Sequence, residues 1–398
     1  MATNISKLCA QVDSPAYIFS EEEFCKRTDK VKQAFGNDVD ICFSIKANPF
    51  LLNFLPKNFS KVEVCSPGEL EICKALGINP EMIIFSGVNK SLEEIRDALK
   101  SGVGVITAES KSHIDDINIC GIDNGCTFDV LLRLSNESQF GIDGEELIGY
   151  IKNRKEYSGI NISGIHYFTG TQKKRPSAVI KEIDKLVSFI DRIKEETGFD
   201  IQKIEYGTGL AVDYFKDDAD DSENERLMEI APKIRELGEK AELTVEMGRF
   251  FAAPCGYYIT RVKDIKVNDG VYYAILDGGI HQLKYDGQTQ GMQLPQISHI
   301  KIDGSSCSVS EETQAWTLCG SLCTTADVIA RNAKFTDLNF NDFLVFHRTG
   351  AYSMDEGISF LLSRDMPSIY AIQKNGALKL MRRRIDTHLL HIPESVEK

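Results

Sequence analysis

Eight short apolar runs, rich in β-branched residues, recur between residues 40 and 250, and segments with helical periodicity separate them. Two of these segments, 91–102 and 177–198, repeat apolar residues every three or four positions, and a glycine closes the second. This alternation predicts an α/β fold, a (β/α)8 TIM barrel, whose reactive groups lie at the carboxyl ends of its strands. A doubly wound open sheet is the alternative. The predicted strands are 40–46, 62–66, 82–86, 103–107, 128–134, 161–168, 202–207 and 243–247.

The pattern changes after residue 253, where strand-like segments follow one another without long helices between them. We therefore expect a second, mostly antiparallel β domain at the carboxyl end of the chain. The segment 15–19 is also strand-like and is expected to join that domain. The predicted division is a barrel domain of residues 25–253 and a β domain formed by 1–24 and 254–398.

The charge balance is acidic, with 46 lysines and arginines against 59 aspartates and glutamates and a net charge of −13. A field of this sign repels phosphate backbones, so we expect no nucleic-acid partner. No apolar run approaches the roughly 20 residues that span a bilayer, and the amino-terminal segment lacks a basic region followed by an apolar core. We expect a soluble, cytoplasmic protein with no membrane partner.

The 11 cysteines are scattered and form no C-x-x-C pair, which argues against a disulfide framework and a zinc ribbon. Cys319 and Cys323 lie close in sequence, but no second pair stands at ligand spacing. We therefore predict no metal site and expect most thiols to be small buried groups.

Polar residues at the ends of the predicted strands are of the types that one chemistry would need. A lysine amine forms a Schiff base with an aldehyde, the N–H groups of a glycine turn hold a phosphate, and a carboxylate pairs with a pyridinium nitrogen. Together they favour pyridoxal 5′-phosphate (PLP), although a surface lysine, a tight turn or a structural salt bridge would account for each alone. These strand-end groups are Lys46, Glu63, Arg133, His166, the turn 207–209, Glu246 and Arg249.

The order of the motifs resembles the fold-type III, alanine-racemase-like PLP decarboxylases, the group that holds diaminopimelate, ornithine and arginine decarboxylases. The resemblance extends over nearly the whole chain. It is carried by FSIKAN (43–48), VCSPGEL (64–70), QFGI (139–142), GIHYFTGTQ (164–172), YGTGLAVDY (206–214), EMGRFFAAPCGYYITRV (246–262), ILDGGIHQL (275–283), CGSLCTTADV (319–328) and GAYSM (350–354).

The resemblance implies a role for each matching residue in the binding of PLP. Lys46 would be the Schiff-base lysine, Glu246 would pair with the pyridinium nitrogen, and Glu63 and Arg133 would brace the lysine and the ring. Phe168 and Thr171 would lie beside the cofactor. The phosphate would be held by Gly207, Thr208, Gly209, Arg249 and Tyr352.

The resemblance also implies a head-to-tail homodimer with two composite active sites. Cys323 and Asp327 match residues that the family supplies from the neighbouring subunit. Cys323 would protonate the Cα carbanion after carbon dioxide leaves. Arg249, Thr324 and Asp327 would contact the amino-acid substrate.

Three departures from the family bear on the substrate. Phe168 replaces a histidine that stacks on the cofactor ring, and we expect His166, two residues earlier, to point to the opposite face of the strand. The connection 133–142 is short. Thr324 replaces the glutamate by which diaminopimelate decarboxylases recognise the distal amino group, and threonine carries no charge. We therefore expect a substrate with an acylated or carrier-linked distal group, of the secondary-metabolism or siderophore type.

Other functions stay open at this point. Diaminopimelate or a basic amino acid such as ornithine, lysine or arginine is the alternative substrate. An amino-acid racemase would need a tyrosine-type second base in the β domain, where this chain has a cysteine. A catalytically silent regulatory homologue is the alternative outside enzymology, and it would be favoured by loss of Lys46, the glycine turn or Cys323, all of which are present.

Overall fold

The computed structural model describes residues 5–305 and 313–394, and within them the chain forms two compact units. The barrel unit comprises residues 25–212 and 220–251. The β unit comprises the described residues of 1–24, 213–219 and 252–398. No helix in the described part of the chain combines the length and the apolar character that crossing a membrane requires.

Strands and helices alternate through the first two thirds of the chain and strands dominate the rest. The helices are α1 (Ile5–Cys9), α2 (Glu21–Phe35), α3 (Pro67–Ala75), α4 (Leu92–Lys100), α5 (Lys111–Asn124), α6 (Gly144–Lys152), α7 (Pro176–Thr197), α8 (Ala219–Gly238) and α9 (Arg249–Ala252). The strands are β1 (Ala16–Ser20), β2 (Val39–Ser44), β3 (Lys61–Val64), β4 (Ile83–Phe85), β5 (Val105–Ala108), β6 (Phe128–Arg133), β7 (Ile160–Phe168), β8 (Lys203–Gly207), β9 (Glu242–Met247), β10 (Gly256–Asn268), β11 (Val271–Leu276), β12 (Ile297–Ile300), β13 (Gln314–Cys319), β14 (Val328–Phe335), β15 (Phe343–His347), β16 (Ser368–Ile372) and β17 (Leu378–Arg382).

Strands β2 to β9 form a closed, parallel barrel in chain order, and β2 pairs with β9 to close it. The predicted fold class is confirmed, and the open-sheet alternative is wrong. Local signals set the helices: Ser91 and Glu94 form a capping box at the start of α4, and Gly198 takes a left-handed conformation at the end of α7. The predicted first strand ends two residues early, because the chain turns into a short 3-10 helix at Ile45–Ala47.

The register of the barrel brings polar side chains to neighbouring positions. Arg133 pairs with His166, His166 pairs with Glu205, and Gly207 pairs with Glu246 on the next strand. Side chains two residues apart on a strand share a face. The side chains of His166 and Glu205 therefore lie on the same inward face as that of Glu246, two residues nearer to the amino-terminal ends of the strands.

The β unit is built around one mixed sheet of mostly antiparallel pairs, with the order β14-β13-β11-β10-β1-β16-β17. Strand β15 pairs with both β10 and β12. The amino-terminal strand β1 lies between β10, antiparallel to it, and β16, parallel to it. On one face of β1, Ala16 and Ile18 are buried in an apolar cluster with Ile259 and Val345. Tyr17 and Phe19 on the other face are buried as well, which explains why β1 reads as a continuous apolar run.

Candidate active site

Lys46 follows strand β2 on the short helical turn Ile45–Ala47, and its amine lies among acidic groups. Its Nζ is 2.6 Å from Glu63 Oε2, 3.4 Å from Glu246 Oε1 and 3.4 Å from Cys65 Sγ. The lysine side chain is 37% exposed, whereas the two glutamates are buried. The amine is thus both held in place and accessible to a reagent.

Glu246 is held as a carboxylate inside the barrel. Its Oε1 accepts a 2.6 Å hydrogen bond from Ser44 Oγ, and His166 Nε2 lies 3.3 Å from its Oε2. Burial alone would raise the pKa of the Glu246 carboxyl, but the Lys46 charge and the contact with His166 hold this pKa well below its usual range. An anion fixed in this way can pair with a protonated ring nitrogen.

The expectation that His166 points to the opposite face of strand β7 from Phe168 is wrong. Because side chains alternate with a period of two, His166 and Phe168 share a face. His166 is buried and contacts Glu246, the residue predicted to hold the pyridinium nitrogen. Sequence reasoning therefore identifies His166 as a strand-end group but assigns it to the wrong face, an error that strand periodicity corrects.

Glu205, which the sequence analysis also missed, is a fully buried carboxyl group whose oxygens have no hydrogen-bond partner. Burial, reinforced by the charges of Glu246 and Glu63, raises its pKa well above the usual range. Ligand atoms of His166, Glu205 and Glu246 lie within 4.8 Å of one another, close enough to share an ion. Glu246 in this group also contacts Lys46 and Ser44.

Arg133 lies at the end of strand β6, where it contacts the carboxylate of Glu109. Its Nη1 is 3.2 Å from Glu109 Oε2, and its guanidinium lies 4.9 Å from the Phe140 ring centroid. Nearby, Lys90 is buried and donates to the carbonyls of Ser86 and Gly87, and burial lowers its pKa to about 8. The bracing of the lysine and the cofactor ring that the resemblance implies for Arg133 stays a prediction.

The turn at the end of strand β8 leaves no room for a side chain at either of its two glycines. Gly209 has a φ of +59°, and a Cβ on it would lie 1.9 Å from the Gly170 carbonyl oxygen. A Cβ on Gly207 would lie 2.5 Å from the Phe168 ring. Thr208, fully buried between them, accepts the Leu210 N–H through its hydroxyl at 3.2 Å. The absence of Cβ atoms at Gly207 and Gly209 lets an anion approach the backbone N–H groups of the turn.

The remaining predicted residues of the barrel unit lie near these elements. Arg249 begins α9, separated by one residue from the end of β9, and its side chain is buried. Phe168 packs against Gly207, and Lys173 Nζ lies 6.0 Å from its ring centroid. Thr171 is exposed in the loop that follows β7.

The predicted residues of the β unit lie in two loops. Cys323 and Thr324 are exposed and line a cavity of about 500 Å³. Asp327 is buried, and its carboxylate accepts the N–H groups of Ile280 and Leu322 at 2.9 and 2.8 Å. It therefore holds the Cys323 loop in shape, and its predicted contact with substrate stays a prediction. Tyr352 has a φ of +61°, a strained conformation for a tyrosine.

The residues of the barrel unit fit PLP. Lys46 supplies an accessible amine, Glu246 supplies an anion for the ring nitrogen, and Gly207 and Gly209 form a turn whose backbone is open to a phosphate. When bound, PLP supplies the electron sink that stabilises a carbanion at Cα.

Relatives with assigned activities match most of the chain. A diaminopimelate decarboxylase of Aquifex aeolicus is 24% identical over 96% of this chain and 91% of its own length. An L-glutamyl-[BtrI acyl-carrier protein] decarboxylase of Niallia circulans is 25% identical over 96% and 93%. A 2-[(L-alanin-3-ylcarbamoyl)methyl]-2-hydroxybutanedioate decarboxylase of Staphylococcus aureus is 29% identical over 86% and 90%.

The fold is shared with solved structures. The diaminopimelate decarboxylase of M. jannaschii, in complex with L-lysine, superposes with a TM-score of 0.83 at 25% identity, covering 98% of this chain and 94% of that one. Residues 21–253 match the family described as "Pyridoxal-dependent decarboxylase, pyridoxal binding domain". The match covers more than half of the chain and includes Lys46, Glu246 and the glycine turn. The chain therefore belongs to the pyridoxal-dependent decarboxylases, and PLP is its cofactor.

Proposed function

We propose that this enzyme removes the α-carboxylate of an amino acid whose distal group is acylated, releasing carbon dioxide and an amine. The observation that carries the substrate class is Thr324, an uncharged, exposed residue beside Cys323 on the cavity of the β unit. A threonine cannot form an ion pair with a distal ammonium group, but its hydroxyl can bond to an amide. The Staphylococcus aureus relative acts on an amide-linked substrate, and the Niallia circulans relative acts on a carrier-linked one.

Residues of the barrel unit would hold the cofactor and control its protons. Lys46 would bind PLP covalently and act on protons at Cα, since its amine is accessible. Glu246 would keep the ring nitrogen protonated, because its own pKa is held low. Glu205, kept neutral by burial, would add no second negative charge beside Glu246.

The β unit would supply the proton donor. Cys323 carries an exposed thiol on a loop that Asp327 holds in shape. We propose that this thiol acts in the site of a second copy of the chain, so that a homodimer forms two composite sites. Protonation of Cα by Cys323 would make the reaction a decarboxylation rather than a racemisation or a transamination.

Diaminopimelate or a basic amino acid is the second candidate substrate. The Aquifex aeolicus and M. jannaschii relatives, both named as diaminopimelate decarboxylases, support it. The two candidates differ in the charge on the distal group, so a substrate panel separates them.

The test is product detection by mass spectrometry after incubation of PLP-loaded protein with meso-diaminopimelate, lysine, ornithine, arginine, an N-acylated diamino acid and a glutamyl-loaded carrier protein. Loss of carbon dioxide from an acylated substrate supports the proposal. Efficient reaction of diaminopimelate or lysine, with no reaction of the acylated substrates, would reject it in favour of the second candidate.

A pair of lysine variants tests the role of Lys46. We expect Lys46→Ala to lose the absorbance band of the lysine-bound cofactor and at least about 100-fold in kcat, since proton transfers alone are worth that much. Lys74→Ala is the matched control, because Lys74 is equally exposed at 37% and also pairs with a glutamate, Glu71, at 2.6 Å. A folded Lys46→Ala enzyme that keeps the band and the activity would contradict the assignment.

A further inference from the structure

Part of the cavity beside Cys323 and Thr324 is lined by residues to which the proposed reaction assigns no role. Lys266, Tyr273 and Thr317 occupy paired positions on the adjacent strands β10, β11 and β13, so their side chains form one row across the sheet. The pairing of β13 with β14 is irregular, and Arg331 of β14 also lines the cavity. We call Lys266, Tyr273, Thr317 and Arg331 the anion subsite.

The two charged side chains of the anion subsite, Lys266 and Arg331, are both cations. Among the residues that line the cavity, all of them described by the structure, Asp327 is the sole carboxylate, and its oxygens are occupied by the N–H groups of Ile280 and Leu322. Lys266 Nζ lies 3.1 Å from Asp264, but both side chains are 52% exposed, and exposed pairs of this kind contribute little.

Arg331 is the stronger of the two cations for ligand recognition. Its Nε donates to the Gln290 carbonyl at 3.0 Å, which fixes the direction of the guanidinium plane. Within residues 5–305 and 313–394 it forms no ion pair with a carboxylate. A planar guanidinium can hold a carboxylate through two parallel hydrogen bonds, which a lysine cannot do.

We propose that the anion subsite binds a carboxylate carried by the acyl group at the distal end of the substrate. This inference rests on the proposed function, because it takes Cys323 and Thr324 to face the reacting amino acid. From them the cavity extends to Lys266 and Arg331, and its volume of about 500 Å³ is typical of a small-molecule site. The substrate class is an N-acylated diamino acid whose acyl group is itself acidic.

The subsite also accounts for discrimination against free diamino acids. A distal ammonium group would meet two cations, whereas a distal carboxylate would meet two partners. Tyr273 and Thr317 lie on β11 and β13, the strands between those of Lys266 and Arg331, and offer hydroxyl groups to an amide or a hydroxyl of the acyl chain.

Kinetics with two amides of diaminopropionate test the proposal. The succinyl amide ends in a carboxylate, and the butanoyl amide has the same chain length and no distal charge. We expect the wild-type KM to be about 10- to 100-fold lower for the succinyl amide, and this preference to disappear in the double variant Lys266→Met, Arg331→Met. Lys334→Met, on strand β14 outside the cavity lining, is the control and should keep the preference.

The kinetic outcomes separate the two hypotheses. Turnover of both amides with no wild-type preference, or with a preference that survives in the double variant, would overturn the anion subsite and leave the proposed function standing. Turnover of free diamino acids alone would overturn the proposed function.

A second readout needs no turnover. Malate serves as a carboxylate probe, and the rate of alkylation of Cys323 by iodoacetamide is followed by peptide mass spectrometry. We expect malate to slow alkylation of Cys323 in the wild type and not in the double variant. Cys126, an exposed thiol of the barrel unit, is the internal control. Equal protection in both proteins, or none in either, would reject the subsite.

Discussion

Glu205 shows at the scale of one residue how burial sets a protonation state. The side chain is fully buried on strand β8 and its carboxyl oxygens have no partner, while Glu246 beside it holds a carboxylate through Lys46 and Ser44. Two neighbouring buried acids cannot both ionise cheaply. The contacts of Glu246 therefore decide which of the two carries the charge.

If Glu246 carries the charge and Glu205 stays protonated, the free energy of unfolding should depend on pH through Glu205. The pKa of Glu205 is raised in the folded protein, so its contribution to folding is complete below the unfolded pKa and is lost as the pH rises toward the folded pKa. Glutamine cannot ionise. We therefore expect Glu205→Gln to gain stability relative to wild type between pH 5 and 8, by at most about 1.4 kcal/mol per pH unit.

Urea unfolding of the cofactor-free protein measures this difference. Glu242→Gln, at the exposed start of strand β9, is the control and should show no such trend. A Glu205→Gln stability difference that stays constant or shrinks as the pH rises would show that Glu205 is ionised in the folded protein.

At the scale of one element, the glycine turn after β8 requires both a left-handed backbone conformation and empty space at the Cβ position. Gly209 needs a positive φ, and the Gly170 carbonyl leaves no space for a Cβ. Gly198 at the end of α7 has a similar φ of +65° but no atom within 4 Å of an added Cβ. An alanine at Gly198 would therefore add backbone strain alone, whereas an alanine at Gly209 would add the same strain and also displace the turn.

We expect Gly209→Ala to displace the turn and weaken PLP binding by at least about 10-fold. Gly198→Ala should lower stability by about 1 to 2 kcal/mol, the cost of a left-handed alanine, and leave PLP binding unchanged. PLP titration followed by fluorescence and thermal unfolding measure the two effects. Equal PLP affinity in wild type and Gly209→Ala would show that the turn does not hold the phosphate.

At the scale of the whole molecule, the proposed dimer divides each active site between two chains. Lys46 lies in the barrel unit and Cys323 in the β unit. If the two residues act together across subunits, a hybrid dimer of Lys46→Ala and Cys323→Ala chains has one doubly altered site and one intact site.

Mixing the two inactive variants under conditions of subunit exchange should therefore restore activity, to about a quarter of the wild-type value for random pairing of a twofold dimer. Lys46→Ala mixed with Gly209→Ala is the control, because each site of that hybrid keeps one lesion. Activity that stays at the level of the parents, in a mixture shown by mass spectrometry to contain hybrids, would place Cys323 in the site of its own chain.

Much of the barrel could be predicted because its signals are local. Each predicted strand overlaps a barrel strand, since buried parallel strands read as continuous apolar runs. Lys46, Glu63 and Glu246 were predicted as strand-end groups and do meet, because parallel strands of a closed barrel end at one rim. Strand periodicity places His166 on the same face as Phe168, against the prediction for it, and nothing local in the sequence marks a buried acid such as Glu205.

From the sequence alone, the apolar periodicity and the glycine positions determined the (β/α)8 barrel, the β-rich carboxyl-terminal part and the lysine, acids and turn that suit PLP. Only the tertiary structure decided which acid is charged, that Arg133 meets Glu109, and that Lys266 and Arg331 line one cavity with Thr324. The physical reason is range: strand and turn preferences act between near neighbours in the chain, whereas burial and charge pairing depend on register between distant strands.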